Sequence, residues 1–318
     1  MNIVINWKDL QKRIINWQEV TKVIRNGVQI RPESVPPVTD DYLCFTAPTG
    51  AYITLNKIWT PTEVSLEIST DKENWSDYTI GTQITMQWNS KLYFRNKSTT
   101  PTGFSTSGSN YYNFSSVWST ISVSWDLNYL LCKTSTDTVW SYCFFKLFAD
   151  RLQAHSYIQD ASNLDLSATT LNTHCYERMF DGCVSLTTAP NTLPATTCAT
   201  SCYAYMFNWC TALTNSPLLP ATTLANSCYS RMFSWCTNLE TLPSLSATTL
   251  IAYCYEYMFN GCSKIKISET QVWDYTNSYT MPSDWPVSWL NRMFTSTWWT
   301  FTWTPTRWTT YYTSNTIV

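Results

Sequence analysis

Two histidines, His155 and His174, are the chain's only side chains that ordinarily titrate near neutral pH. His174 stands beside Cys175, and a thiol paired with an imidazole is a common way to activate a cysteine nucleophile. Neighbouring residues on a helix point apart, however, and Cys175 belongs to a periodic series, so the pair reads as structural. Neither histidine has zinc-protease spacing, and no nucleophile elbow or P-loop occurs. The chain holds 12 cysteines. Zinc prefers short Cys-x2–4-Cys hooks, and only Cys198-x3-Cys202 has that form. Buried thiols behave as small apolar side chains, while disulfides need Cα atoms within about 7 Å. Both readings stay open for the repeat cysteines, with metal the least supported. No catalytic residue, cofactor or metal is expected.

The cysteines mark a repeat. Four segments align: Cys175-Tyr-Glu-Arg-Met-Phe-Asp-Gly-Cys183, Cys202-Tyr-Ala-Tyr-Met-Phe-Asn-Trp-Cys210, Cys228-Tyr-Ser-Arg-Met-Phe-Ser-Trp-Cys236 and Cys254-Tyr-Glu-Tyr-Met-Phe-Asn-Gly-Cys262. Their first cysteines are 27, 26 and 26 residues apart. A second phrase, Leu-(Ser/Pro)-Ala-Thr-Thr-(Leu/Cys), recurs at 166–171, 193–198, 219–224 and 245–250, and a worn copy of the first lies at 143–150. A period of 26 falls in the leucine-rich-repeat range. Leu224, Cys228 and Met232 at i, i+4, i+8 predict a short inward-facing helix, with Thr222 or Thr223 as its cap. A short extended piece should follow, ended by Pro243. Leu186, Leu213, Leu239 and Ile265 occupy matching positions and should form a buried ladder.

The variable positions are candidates for partner binding. Arg178, Tyr205, Arg231 and Tyr257 alternate along one edge of the expected helices. Thr187, Thr214, Glu240 and Lys266 follow the buried ladder and should face outward, with Glu240 and Lys266 pairing across rungs. Tyr176, Tyr203, Tyr229 and Tyr255 should pack partly in the core with their hydroxyls at the surface. Leu-Pro-Ala-Thr is internal and repeated, which marks it as repeat architecture rather than a sorting signal.

These phrases resemble the BspA-like leucine-rich-repeat surface proteins, whose repeats alternate Cys-Tyr-x-x-Met-Phe-x-Gly-Cys-Thr-x-Leu with Leu-Pro-Ala-Thr-Thr-Leu. The stretch opening Tyr42-Leu-Cys-Phe-Thr-Ala also resembles the leader domain such proteins often carry. The resemblance implies cell-surface attachment or protein binding, and similar modules occur on phage-encoded proteins.

The flanking sequence completes the expected architecture. At 318 residues the chain is long enough for two or three domains. Residues 1–36 read as a β-hairpin segment around Asn26-Gly27, residues 42–128 as a small β-sandwich, 140–268 as the repeat solenoid and 269–318 as its cap. The expected fold class is α+β, mainly β. Net charge is -2 with 13% charged residues, which gives no footprint for nucleic acid. No apolar run reaches the length of a membrane span, and no ordinary secretory signal opens the chain. The expected function is non-enzymatic recognition or adhesion, outside the cell or at its surface. Its partner is a protein or glycan on a cell or host surface. The alternative is a tail-associated receptor-binding protein on a virion.

Composition adds one anomaly. The chain has 7 glycines and 17 tryptophans, whereas average usage of about 7% would give roughly 22 glycines. Before the second cysteine of each repeat stand Gly182, Trp209, Trp235 and Gly261, and Asn26-Gly27 matches Asn6-Trp7 and Asn16-Trp17. Helix ends and two-residue hairpin turns prefer Gly. GGA and UGA differ by one base, and UGA is read as Gly in some bacterial codes. Many of these tryptophans are therefore expected to be glycine in the organism's own protein, with Trp75 as a genuine one.

Overall fold

The computed structural model describes residues 23–25, 28–30, 42–101, 103–117, 119–133, 138–149, 158–268, 270–271, 275–280, 292–297 and 310–318. The chain divides into two units, Met1–Asp41 and Tyr42–Val318. In the first, β1 (Val23–Arg25) and β2 (Val28–Ile30) pair antiparallel on either side of Asn26-Gly27. The Asn-Trp pairs at 6–7 and 16–17 and the expected linker at 35–41 lie outside the described residues.

The second unit opens with β3 (Leu43–Ala47), β4 (Ala51–Ile58), β5 (Leu66–Ser69), β6 (Ser76–Tyr78), β7 (Ile84–Met86), β8 (Ser90–Asn96), β9 (Tyr111–Val117) and β10 (Ile121–Asp126). β4 runs between β7 and β9. A second sheet has the order β10-β3-β8-β5-β6, extended past β10 by β11 (Ile158–Asp160), while β12 (Leu164–Asp165) also pairs with β10. Alternating burial along β4 follows from its alternating apolar residues, which turn Ala51, Ile53 and Leu55 inward. Phe45 and Phe94 from one sheet meet Phe114 from the other, at 4.8 and 5.1 Å between ring centroids.

The expected α+β leucine-rich-repeat solenoid is not what forms. The structure is almost all β, with 30% strand and 2% helix, in several sheets, none closed. No helix occupies a described repeat position. Each Cys-Tyr-x-x-Met-Phe segment is instead a chain of turns stacked on the next repeat. Along 174–183 the backbone N–H groups alternate. Those of His174, Tyr176, Arg178, Phe180 and Gly182 donate to Thr200, Cys202, Ala204, Met206 and Asn208 of the following repeat. Those of Glu177, Met179, Asp181 and Cys183 donate to carbonyls three residues back. The same alternation recurs at 201–210 and 227–236. Every fourth residue is left-handed: His174, Arg178 and Gly182, then Ser201, Tyr205 and Trp209, then Ser227, Arg231 and Trp235.

The reason is the reach of the side chains. Packed helices sit about 8–10 Å apart, whereas hydrogen-bonded rungs sit about 4.8 Å apart, so in a ladder each side chain meets its own copy. Phe148, Phe180, Phe207, Phe233, Phe259 and Phe294 form one column with centroids 5.2–5.7 Å apart. Phe144, Tyr176, Tyr203, Tyr229 and Tyr255 form another at 5.6–5.9 Å. Left-handed backbone costs about 1–2 kcal/mol per non-glycine residue; the shared hydrogen bonds and ring contacts offset it.

Leu186, Leu213, Leu239 and Ile265 are fully buried in the same core. The tyrosine column departs from expectation: Tyr176, Tyr203, Tyr229 and Tyr255 are buried to the hydroxyl rather than reaching the surface. The second cysteine of each repeat has a specific partner. The thiols of Cys183, Cys210, Cys236 and Cys262 donate to the carbonyls of Phe148, Phe180, Phe207 and Phe233 one rung earlier, at 3.0–3.1 Å. All 12 cysteines are buried and stand as free thiols, with no disulfide between them.

At the C-terminal end, Arg292–Thr297 adds a further rung, since Phe259 and Gly261 donate to Met293 and Thr295. β13 (Thr241–Leu242), β14 (Ile267–Ser268), β15 (Asn277–Thr280), β16 (Thr310–Thr313) and β17 (Thr316–Ile317) complete the unit. β17 pairs with β13, and β16 lies between β14 and β15. Buried Asn315 fastens this end by bonding the carbonyls of Glu240 and Lys264 and accepting from the Lys266 N–H. The segments expected as sandwich, repeats and cap thus belong to one compact unit.

Candidate functional site

Several of the left-handed residues are exposed or half-buried. At the middle such position of each rung stand Lys146, Arg178, Tyr205, Arg231, Tyr257 and Arg292, with φ between 51 and 58°. The stacked turns thereby assemble four of the sequence-predicted residues into one stripe. The Arg178 guanidinium lies 4.0 Å from the Tyr205 ring centroid, and that of Arg231 lies 4.1 Å from Tyr257. Longer contacts of 5.6 Å join Arg231 to Tyr205 and Arg292 to Tyr257. Arg292 also donates to the Tyr257 hydroxyl at 2.7 Å.

The cations of this stripe differ in their surroundings. Arg178 is neutralised by buried Asp181 at 2.8 Å and by Glu177 at 3.4 Å, and Asp181 also accepts from Asn208 at 2.7 Å. Arg231 has no carboxylate partner among the described residues and is held between two aromatic rings. Such packing fixes a guanidinium while leaving its N–H edge available for an anionic group.

The second predicted set is not assembled in this way. The Thr187 hydroxyl donates to Gln159 at 2.9 Å and that of Thr214 to Thr187 at 3.4 Å, so both bridge rungs. Glu240 pairs with Lys264, two residues before the expected Lys266. Lys266 is exposed, and its backbone is tied to Asn315 and Thr313.

His174 and Cys175 face opposite ways. The imidazole stacks on Tyr142 at 4.5 Å and bonds Glu177. Cys175 is fully buried, its thiol pushed well up by desolvation. His155 lies outside the described residues.

Sequence reasoning missed Arg292 because the rung spacing changes from 26 residues to 35 at that point. The available signal was Asn291-Arg-Met-Phe294, which repeats Glu177-Arg-Met-Phe180 and Ser230-Arg-Met-Phe233.

A cleft of about 1200 Å³ opens beside the β-sheets. Its charged walls include Lys57 with Glu63, Lys97 with Asp77 and Arg178 with Asp181, which pair with one another. Exposed Trp209 and Trp235 stack at 5.0 Å, and Trp235 covers Gly261, where an added Cβ would lie 2.8 Å from the indole. Their backbones are left-handed at 62 and 65°, as expected of positions that suit glycine, so this pair is not taken as a sugar-stacking platform.

No family model, curated protein or solved structure matches the chain. Among the described residues no helix is long and apolar enough to cross a membrane, and no group of three or more His, Cys, Asp or Glu is placed to hold a metal ion.

Proposed function

We propose that this chain is a non-enzymatic recognition protein. Its stripe of Arg178, Tyr205, Arg231 and Tyr257, lengthened by Arg292, binds an acidic partner, protein or glycan, on a cell or host surface. The observation that carries the reading is Arg231, a cation between two aromatic rings with no carboxylate in ion-pair distance among the described residues. The likeness of the repeat phrases to BspA-like surface proteins supports the same role, and with it a place outside the cell or at its surface. Rungs about 4.8 Å apart set alternate stripe cations roughly 10 Å apart, a spacing that suits an extended ligand with repeated negative charge.

Fractionation tests the role. The protein is expected on washed cells or particles, and raising salt from about 0.1 to 1 M, which shortens the screening length from about 10 to 3 Å, should release it. Recovery in the cell interior alone, or attachment indifferent to salt, would count against it.

A further inference from the structure

The cations of the stripe recur at a fixed interval, which restricts the shape of what can lie along it. Backbone N–H groups step from one rung to the next, Arg178 to Ala204, Tyr205 to Ser230 and Arg231 to Glu256, and Arg292 reaches the Tyr257 hydroxyl from the rung beyond. Arg178, Arg231 and Arg292 therefore stand on alternate rungs, about 9.6 Å apart along the stack. Tyrosines fill the gaps. Tyr205 packs against Arg178 at 4.0 Å and Arg231 at 5.6 Å, and Tyr257 against Arg231 at 4.1 Å and Arg292 at 5.6 Å. A ring held between two guanidiniums meets a ligand through its edge and its hydroxyl. Arg178 is already answered by Asp181 and Glu177, so the anionic groups of a ligand fall at Arg231, which is half-buried, and Arg292, which is exposed.

We propose that the stripe binds a proline-rich, polyproline II segment of a partner protein, with acidic side chains three residues apart facing Arg231 and Arg292. This rests on the reading of the stripe as a surface for an acidic partner and narrows it. The repeat lengths of peptide conformations decide the shape. Polyproline II rises about 3.1 Å per residue with three residues per turn, so residues i and i+3 share a face about 9.3 Å apart. A β-strand returns to the same face every two residues, at about 6.8 Å and then 13.6 Å, and misses the interval on both sides. An α-helix returns after seven residues, at about 10.5 Å, but its carbonyls are spent on its own N–H groups. Polyproline II has no internal hydrogen bonds, which leaves its carbonyls open to the hydroxyls of Tyr205 and Tyr257. The Tyr257 hydroxyl accepts from Arg292 and keeps its own proton to donate. Such a segment is also ordered before it binds, which lowers the entropic cost of lying along a fixed surface.

The test uses the full chain and three end-capped, fluorescent, proline-rich peptides of identical composition. Each carries two glutamates, placed two, three or four residues apart, and binding is read by anisotropy at about 0.1 M salt. Heparin serves as the glycan probe. The three-residue spacing is expected to bind about tenfold more tightly than the others, since moving one acid about 120° around the helix forfeits a charged contact. Arg231→Ala should abolish that preference. Equal affinity for the three peptides, or binding of heparin with no binding of any peptide, would overturn the proposal and leave the acidic-partner reading in place. Failure of peptides and heparin alike would overturn both.

Discussion

Phe207→Ala is expected to destabilise the Tyr42–Val318 unit by about 3–5 kcal/mol, the range for a large aromatic removed from a close-packed core. Phe207 is fully buried and stacks on Phe180 at 5.5 Å and on Phe233 at 5.7 Å, with ring planes within 9 and 7° of parallel. Its carbonyl receives the Cys236 thiol and its N–H bonds Met232. The truncation therefore opens a void between two rungs that each lose a face. In a stack of repeats the interface with the nearest neighbour supplies much of the stability, so a break there weakens both sides. Urea unfolding measures the change, and a loss below about 1 kcal/mol would show that the aromatic column does not hold the rungs together.

The second large effect concerns what the gene encodes. Codons 7, 17, 209 and 235 are expected to be UGA, read as glycine by the organism. Seven tryptophans fall among the described residues, and four of them, Trp59, Trp125, Trp209 and Trp235, have φ between 58 and 75°. Only a few per cent of non-glycine residues adopt such angles. The stacked turns impose left-handed backbone on Arg178 and Tyr205 as well, so the ladder accounts for part of this at 209 and 235. Trp59 and Trp125 lie outside it. Trp75 behaves as a genuine tryptophan: its indole N–H donates to Lys72 at 2.9 Å, and Arg95 packs on its ring at 3.8 Å. Replacing Trp209 and Trp235 by Gly should relieve left-handed strain of about 1–2 kcal/mol per site, offset by roughly 0.5–1 kcal/mol of glycine's own chain entropy. The double variant should thus be at least as stable as the chain as written. UGG at codons 209 and 235, or a clear fall in stability, would contradict this account.

Repeat register and buried positions were legible because identical residues recur every 26 or 27 positions. Leu186, Leu213, Leu239 and Ile265 could be placed inside from that alone, and Arg178, Tyr205, Arg231 and Tyr257 could be set on one line. The backbone was not legible. A turn that repeats every four residues lines up Leu224, Cys228 and Met232, and an α-helix of 3.6 also keeps these three within about 80° of one another, so their spacing suits either backbone. What distinguishes them is where the N–H groups go, and half of those bonds reach another repeat. The hydrogen bonds of the Thr187 and Thr214 hydroxyls were not legible for a related reason. Their partners are backbone carbonyls of other rungs, which no local pattern specifies.

Whether the arginine–tyrosine stripe makes the attachment is tested most directly by titrating variants against target cells or particles. Cation–π contacts at exposed sites contribute about 0.5–1 kcal/mol each, so the chain with Tyr205→Ala, Arg231→Ala and Tyr257→Ala should stay folded with a modestly lower melting temperature. Its attachment should weaken at least about tenfold, the equivalent of roughly 1.4 kcal/mol, while Lys266→Ala, away from the stripe, should bind as the wild type does. Unchanged attachment in the triple variant, or an equal loss in Lys266→Ala, would contradict the account.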